Sequence, residues 1–286
     1  MLSNKVSEIM TTHLTTASVA QPVFEVMEMM ASADVGRVIV IDKEVPVGIF
    51  TEKDVLTRVV NGAMDSKKTP LSQVMTSPIR AVREDTHIVD AFGKMFKGKY
   101  RHLLVRGRRG KIVGIVSMRR ILGLAVELGQ GLSENETLGN IMSAGIASVD
   151  ESTSLYKTID LMIDKGVAAV VIVADGKPAG IFTERDVLKR VATKQVDTKG
   201  TAVKEVMTSP LVTMASTTLI GEALAEMYRR DIRNMPVMGP QGELTGIVSM
   251  PDILQYARAF DIDERVRKTW KEVAEYYDSD DQYTPG

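Results

Sequence analysis

The feature that most constrains the fold of this chain is a short pattern that recurs four times at one spacing. The copies are GIFTEKD, GIVSMRR, GIFTERD and GIVSMPD. Their glycines lie 66 residues apart, at Gly48, Gly114, Gly180 and Gly246. Self-similarity at a fixed period over almost the whole chain indicates a repeat architecture, in which neighbouring units pair to bury a core that one unit could not form alone.

Each copy of the pattern is typical of a junction between a strand and a helix. An apolar run leads into the glycine, and a helical pattern such as DVLKRVA follows it. A hydroxyl residue stands where the helix N-cap should be, and in three copies an acid follows three residues later. The hydroxyl residues are Thr51, Ser117, Thr183 and Ser249, and the acids are Asp54, Asp186 and Asp252.

Two interpretations of the hydroxyl and acid are open. The pair can be a capping box that only closes the start of the helix. Alternatively, the hydroxyl, the free N–H groups and the positive helix end can hold a phosphate, while the aspartate accepts hydrogen bonds from a ribose diol. The capping box can describe the empty site, and the phosphate and ribose contacts can describe the filled site.

The surroundings of the motif predict one secondary-structure order for every repeat. Each repeat opens with a methionine and a hydroxyl residue, and a short strand, an amphipathic helix, two strands and a second helix follow. The predicted fold is therefore α/β (α+β), with β-α-β-β-α units. Copies one and three share GIFTE, whereas copies two and four share GIVSM, which indicates two modules of two repeats. The predicted boundaries are 1–66, 67–130, 131–198 and 199–262.

The tail, residues 263–286, departs from the repeat. Val266, Trp270, Val273 and Tyr277 are spaced by four, three and four residues, which predicts one apolar stripe of a C-terminal helix before a frayed end. This helix is expected to dock on the second module or on its copy in a dimer. A partner-binding helix or a ligand-gated latch is the alternative.

Composition and charge exclude several classes of site. The chain has no cysteine, so thiolate metal sites and cysteine nucleophiles are excluded. Its three histidines fall at different positions in their repeats, which indicates neither a metal site nor a catalytic pair. There is no P-loop signature, and no enzymatic activity is predicted. The absence of a long apolar run or a signal peptide predicts a cytoplasmic protein without membrane contact.

Nucleic acid is not the expected partner. The net charge of -1 provides no overall field for a polyanion. The basic run RGRRGK, residues 106–111, falls in a predicted hairpin turn, where solvated charge is usual.

The four motif copies, each with a methionine-hydroxyl start and the same element order, resemble the CBS-domain family over residues 1–260. Two such domains in tandem resemble a Bateman module, whose two clefts take adenosine ligands about a pseudo-twofold axis. Four are similar to stand-alone prokaryotic CBS proteins and to the γ subunit of AMP-activated kinase. The resemblance implies a non-catalytic sensor that binds AMP, ADP or ATP and relays occupancy to a partner.

The resemblance also implies roles for individual residues. Asp54, Asp186 and Asp252 become ribose ligands. The implied phosphate-binding residues are Thr51, Thr183, Ser249, Ser117, Arg101, His102, Arg120, Arg233 and Asn234. The implied adenine wall is Val35, Val167 and Ala147. Arg120 replaces the aspartate in repeat two, so the cleft there is expected to be empty or altered, with the guanidinium reaching a phosphate in the paired cleft.

The sequence leaves several alternatives open. Arg101 and Arg233 can be phosphate ligands or solvated strand ends. A scaffold protein with vestigial clefts is the alternative to the sensor, and other adenosyl ligands are S-adenosylmethionine, NAD and dinucleoside polyphosphates. The two modules can stack within one chain or through a homodimer, and an unidentified protein partner is possible. Replacing Asp186 or Asp252 by Ala is predicted to weaken AMP binding more than about tenfold, with little loss of folding.

Overall fold

The computed structural model describes residues 4–62, 64–98, 100–128 and 135–256. The first repeat contains β1 (Thr16–Ser18), α1 (Val23–Ser32), β2 (Arg37–Asp42), β3 (Val45–Thr51) and α2 (Glu52–Asp54), and α2 continues as a π-helical segment, Val55–Val60. β1 pairs with β2 in parallel, and β2 pairs with β3 in antiparallel orientation. The predicted β-α-β-β-α order is confirmed.

The other three repeats follow the same order. The second contains β4 (Ala81–Arg83), α3 (Ile88–Lys97), β5 (His102–Arg106), β6 (Ile112–Ser117) and α4 (Met118–Leu128). The third contains α5 (Leu138–Ile141), β7 (Ser148–Asp150), α6 (Leu155–Asp164), β8 (Ala169–Ala174), β9 (Lys177–Thr183) and α7 (Glu184–Asp186), which continues as a π-helical segment, Val187–Ala192. The fourth contains β10 (Met214–Ala215), α8 (Ile220–Arg229), β11 (Asn234–Met238), β12 (Leu244–Ser249) and α9 (Met250–Tyr256). The predicted C-terminal helix lies outside the described residues.

Local sequence explains the elements. In α1 the buried residues are Val23, Val26, Met27 and Met30, whose spacing places them on one helix face. The middle of β2, Val38–Val40, is buried on both faces, as expected for a central strand covered by helices on one side and by a second sheet on the other. Among the described residues, no helix has the length and apolar character needed to cross a lipid bilayer.

The methionine-hydroxyl segment that opens each repeat docks on the neighbouring repeat of its module. Four isolated bridges show this exchange: Thr11 with Ile115, Thr76 with Ile49, Ser143 with Ile247 and Thr208 with Ile181. The motif glycines make the exchange possible. A Cβ atom at Gly180 would lie 2.5 Å from the sulfur of Met207 and 2.9 Å from the backbone oxygen of Thr208. The glycine is therefore required for close approach of the methionine-hydroxyl segment, which is the linker between the two repeats of the module.

We expect Gly180→Ala to lower the free energy of unfolding by about 1 to 3 kcal/mol, because the added methyl group overpacks against Met207 and the backbone. Urea denaturation measures the change. Gly145→Ala is the matched control, because the Cβ atom added there meets no atom within 4 Å. Equal stability of the two variants would contradict the steric role of the motif glycine.

Two large apolar cores join the modules. Repeats one and three share one core, which contains Met27 and Phe50 together with Leu155 and Phe182. Repeats two and four share the other core. Each core therefore contains residues of both modules, so the modules stack within a single chain. The homodimer predicted to form through module–module contacts is not needed for this stacking.

Candidate functional site

The Asp186 carboxylate is fully engaged by protein groups. Its Oδ2 atom accepts hydrogen bonds from the Thr183 backbone N at 2.9 Å and from the Thr183 hydroxyl at 2.7 Å. Its Oδ1 atom accepts the Thr208 hydroxyl at 3.1 Å and lies 3.4 Å from Arg190 Nε. Asp186 is 6% exposed. The carboxylate therefore closes the helix start and also ties it to the linker between repeats three and four.

Asp54 has the same environment in repeat one. Thr51 supplies the same two cap bonds, Thr76 donates its hydroxyl to Asp54 Oδ1 at 2.9 Å, and Arg58 lies 3.5 Å away. Arg58 also donates to the backbone oxygens of Val74 and Met75. The capping interpretation is thus correct for both aspartates in this structure. The sequence did not indicate the role of the linker threonines, because they lie 22 residues from their aspartates.

The motifs of repeats two and four form simpler caps. Asp252 accepts the backbone N and the hydroxyl of Ser249 at 2.8 and 2.6 Å, and it is half-buried. Ser117 Oγ accepts the backbone N of Arg120 at 3.1 Å. The hydroxyl at the N-cap therefore serves the helix start in all four repeats.

A cavity of about 140 Å³ opens between the two repeats of the first module. Its lining residues are Ile49, Thr76, Ser77, Pro78, Ile79, Arg80, Tyr100, His102 and Leu104. The volume is similar to the roughly 150 Å³ apolar cavity that admits a benzene ring. Ile49 lies two residues before the cap Thr51, and Thr76 contacts Asp54, so the motif of repeat one borders this cavity. The cavity is large enough for one flat ring system.

The starts of β2, β5 and β11 lie near one another, because the charges of Arg37, Arg101 and Arg233 all act on His102. Strand register pairs Arg37 with Thr51, His102 with Ser117, Ala169 with Thr183 and Asn234 with Ser249. These four positions are therefore equivalent. Counting back 13 residues from the motif glycine places Arg101 opposite Val35, and this correspondence, expected from the sequence, is wrong, because the hairpins of repeats two and four are one residue longer. Arg37 was missed for this reason.

Arg101 and Arg233 each pair with a glutamate of the other module. Arg101 Nη1 lies 2.8 Å from Glu184 Oε2, and Arg233 Nη1 lies 2.5 Å from Glu52 Oε2. The two glutamates are buried, at 6% and 3% exposure. They are the residues that follow the N-cap hydroxyl in repeats one and three, and they were not singled out from the sequence. These two arginines and two glutamates, together with Arg37 and His102, form what we call the central cluster.

The central cluster carries excess positive charge, because its three arginines outnumber its two glutamates, and its pKa values follow from burial and from these charges. Burial, followed by the charges of Arg37, Arg101 and Arg233, holds the pKa of His102 well below its usual range. Burial and the charge of Arg233 also lower the pKa of Arg37, although Glu52 opposes them. Burial lowers the pKa of Arg101, but Glu184 raises it to a net value above the usual one. Among the described residues, the Arg37 side chain makes no hydrogen bond or direct ion pair, and Glu52 is the acid whose charge acts on it.

We expect the low pKa of His102 to make stability depend on pH below about 6.5, the ordinary histidine value. The unfolded chain takes up a proton there and the folded protein does not, so stability is present above this pH and falls as the pH decreases. The slope approaches about 1.4 kcal/mol per pH unit. Urea denaturation between pH 7 and pH 5 measures it. His102→Gln should lose this slope, whereas His87→Gln, at an exposed position, should keep it.

Five further residues that the resemblance assigned to the clefts lie elsewhere in the structure. Val35 and Val167 are half-buried against the core of repeats one and three, and Ala147 is buried within it. Asn234 is half-buried at the start of β11, and Arg120 is half-buried in α4. None of these five residues lines the cavity described above.

A second ionic network lies beside the central cluster. Arg185 Nη1 lies 2.6 Å from Asp231, and its other nitrogens approach Asp34 and Glu52 at 3.6 and 3.5 Å. Asp231 also pairs with Arg119. These contacts link three different repeats to Arg185, so this arginine holds the modules together and does not face open solvent.

Comparison with curated proteins finds similar chains in distant organisms. A family model described as CBS domain matches residues 6–61, 71–127, 138–193 and 203–259. Uncharacterized protein MJ1404 of Methanocaldococcus jannaschii is 28% identical over 269 residues, covering 90% of this chain and 62% of that protein. CBS domain-containing protein CBSCBSPB1 of Arabidopsis thaliana is 26% identical over 279 residues, covering 83% of this chain and 50% of that protein. The chain thus spans 50% to 62% of the length of these relatives.

Solved structures share the overall arrangement. Protein MJ1225 of Methanocaldococcus jannaschii, proposed as an archaeal homologue of γ-AMPK, gives a TM-score of 0.74 at 16% identity, covering 88% of this chain and 99% of that chain. A conserved protein from Pyrococcus horikoshii gives 0.61 at 20% identity, covering 88% of this chain and 98% of that chain. At these identities the likeness shows the fold alone.

Proposed function

Since the chain belongs to the CBS-domain family, with four CBS domains in two Bateman modules, we propose that it is a non-catalytic regulatory protein that binds adenine nucleotides. One observation carries the proposal. A ring-sized cavity lies between Ile49 and His102, with the motif of Asp54 on one side and the positively charged central cluster on the other. A nucleoside phosphate has the matching parts: a flat base, a diol and an anion.

The position of a ligand in this cleft follows from the chemistry of its walls. The base enters between Ile49, Ile79 and Tyr100, where apolar side chains surround it. The ribose faces Asp54, and one of its hydroxyl groups replaces the Thr76 hydroxyl as a donor to the carboxylate. The phosphate points to the centre, where the Arg37 guanidinium makes no direct ion pair among the described residues and only the nearby charge of Glu52 offsets its own. Charge-assisted hydrogen bonds from guanidinium groups suit a phosphate.

Residues at equivalent positions in the other repeats are proposed to have the same roles as Asp54 and Thr51. Asp186 and Asp252 are proposed as ribose ligands, with Thr183 and Ser249 near the phosphate. Asp186 has to exchange its bond to Thr208 for the diol, as Asp54 does with Thr76. Val35, Val167 and Ala147 remain proposed as adenine walls. Ser117, Arg120 and Asn234 remain proposed phosphate contacts.

Calorimetric titration with AMP and ATP tests the proposal, and an assay of phosphate release accompanies it. Binding without turnover is expected. Turnover would indicate a nucleotide-processing enzyme instead. If no adenine ligand binds, a scaffold with vestigial clefts becomes the better interpretation.

We expect Ile49→Trp to weaken AMP binding in the first module by more than about tenfold, because the indole fills a cavity that is only large enough for one ring. Val45→Trp is the matched control, since Val45 lies on the same strand, is 60% exposed and does not line the cavity. Calorimetry gives both affinity and stoichiometry. Equal binding by both variants would show that the base does not enter this cavity.

A homodimer and a regulated protein partner stay predictions. Analytical ultracentrifugation of the full chain, with and without AMP, tests self-association. Regulation also requires that the ligand bind two conformations with different affinity, because equal affinity would shift no equilibrium.

A further inference from the structure

The two glutamates of the central cluster lie against Arg101 and Arg233, the two arginines that the family resemblance assigns to a phosphate. Each follows an N-cap hydroxyl, Thr51 or Thr183, and each is buried with its carboxylate on an arginine of the opposite module. Burial of a carboxylate is costly unless a cation compensates it. Nothing about closing a helix start requires this residue to be acidic, because the cap bonds are made by the hydroxyl and the aspartate.

Comparison among the four repeats shows that a glutamate follows the cap only in repeats one and three, the repeats that lack an arginine directly before the central strand. The backbone N of the residue after the cap donates to equivalent carbonyls in every repeat. The pairs are Glu52 with Gly36, Met118 with Arg101, Glu184 with Ala168 and Met250 with Arg233. Repeats with a glutamate have a small residue opposite it, and repeats with an arginine have a methionine opposite it.

The small residues leave space for the carboxylates. A Cβ atom at Gly36 would lie 3.0 Å from the carboxyl carbon and from Oε2 of Glu52. The Glu52 carboxylate is therefore seated against the backbone of β2, next to Arg37, and it is turned toward Arg233. This arrangement is reciprocal, because Glu184 reaches Arg101 from the second module in the same way.

We propose that Glu52 and Glu184 are internal competitors of the ligand: they occupy Arg233 and Arg101 in the empty protein, and an incoming phosphate must displace them. The inference rests on the proposed function. These glutamates then reduce the affinity for anionic ligands while leaving the affinity for an uncharged nucleoside unchanged. They set how strongly the clefts prefer a nucleotide to its nucleoside.

Titration of Glu184→Gln, Glu52→Gln and the double variant with AMP and with adenosine tests the inference. Glutamine keeps the shape and removes the competing charge. AMP affinity should rise about tenfold in the double variant, which corresponds to about 1.4 kcal/mol. Adenosine affinity should stay constant. Glu28→Gln is the control for net charge, because Glu28 is exposed on α1. Equal AMP affinity in wild type and double variant would overturn the inference while leaving the proposed function intact.

A second measurement keeps the inference testable if no nucleoside compound binds, in which case the proposed function fails. Inorganic pyrophosphate is added to the wild type and to the double variant, and the shift of Tm is measured. A larger stabilisation of the double variant is expected, because two arginines lose their internal anions. Equal shifts in the two proteins would show that the glutamates do not compete with anions.

Discussion

Asp186→Ala is expected to lower the free energy of unfolding by about 2 to 4 kcal/mol. The carboxylate accepts the Thr183 amide, the Thr183 hydroxyl and the Thr208 hydroxyl, and it pairs with Arg190. Its removal breaks the cap and leaves the half-buried Thr183 donors without their acceptor, whereas the exposed Thr208 and Arg190 side chains can bind water instead. Urea denaturation measures the loss. The expectation from the sequence, little loss of folding, is thus revised for this residue.

Asp252→Ala is the matched comparison. Asp252 is half-buried and, among the described residues, accepts only the two cap bonds of Ser249, so the loss should be about 1 kcal/mol. If the two variants lose the same stability, the bonds to Thr208 and Arg190 contribute nothing. AMP titration of both variants then separates the structural role from the ribose role, because only the latter requires weaker binding at both sites.

Arg101→Ala is expected to destabilise the protein by about 2 to 3 kcal/mol, because it leaves the Glu184 carboxylate buried without its cation. The value lies below the usual range for a broken buried pair, since the Arg101 side chain is 36% exposed and partly hydrated. The backbone tolerates alanine, because Ala168 occupies the equivalent position in repeat three. Thermal and urea denaturation measure the change.

The double variant Arg101→Ala with Glu184→Met should recover most of this loss. Methionine fits the second position, because Met118 and Met250 occupy it in repeats two and four and are buried there. A double-mutant cycle isolates the pair. If the double variant is as unstable as the single variant, the loss arises from the missing Arg101 packing and not from the unpaired carboxylate.

The periodic spacing was sufficient to predict the repeats, their element order and their pairing into modules. Strand and helix periods, the cap hydroxyls and the motif glycines are local signals, and they agree with one another in all four copies. The capping box was also visible as one of two interpretations, because its partners are three residues apart.

The ion pairs of the candidate site could not be predicted in the same way. Arg101 and Glu184 are 83 residues apart, and Arg233 and Glu52 are 181 residues apart. No local pattern joins such residues. Arg37 was missed because counting from the motif glycine fails across hairpins of unequal length. Aligning the strands before counting would have identified it.

The sequence by itself determined what each repeat is, since a strand, a turn and a helix start depend on neighbouring residues. Only the tertiary structure decided which contacts form between the repeats. It stacked the two modules in one chain, closed the aspartates of repeats one and three against the linkers, and paired buried charges across the centre. Those outcomes depend on which apolar faces meet and on how far each charge is removed from water, and both are set by contacts between distant parts of the chain.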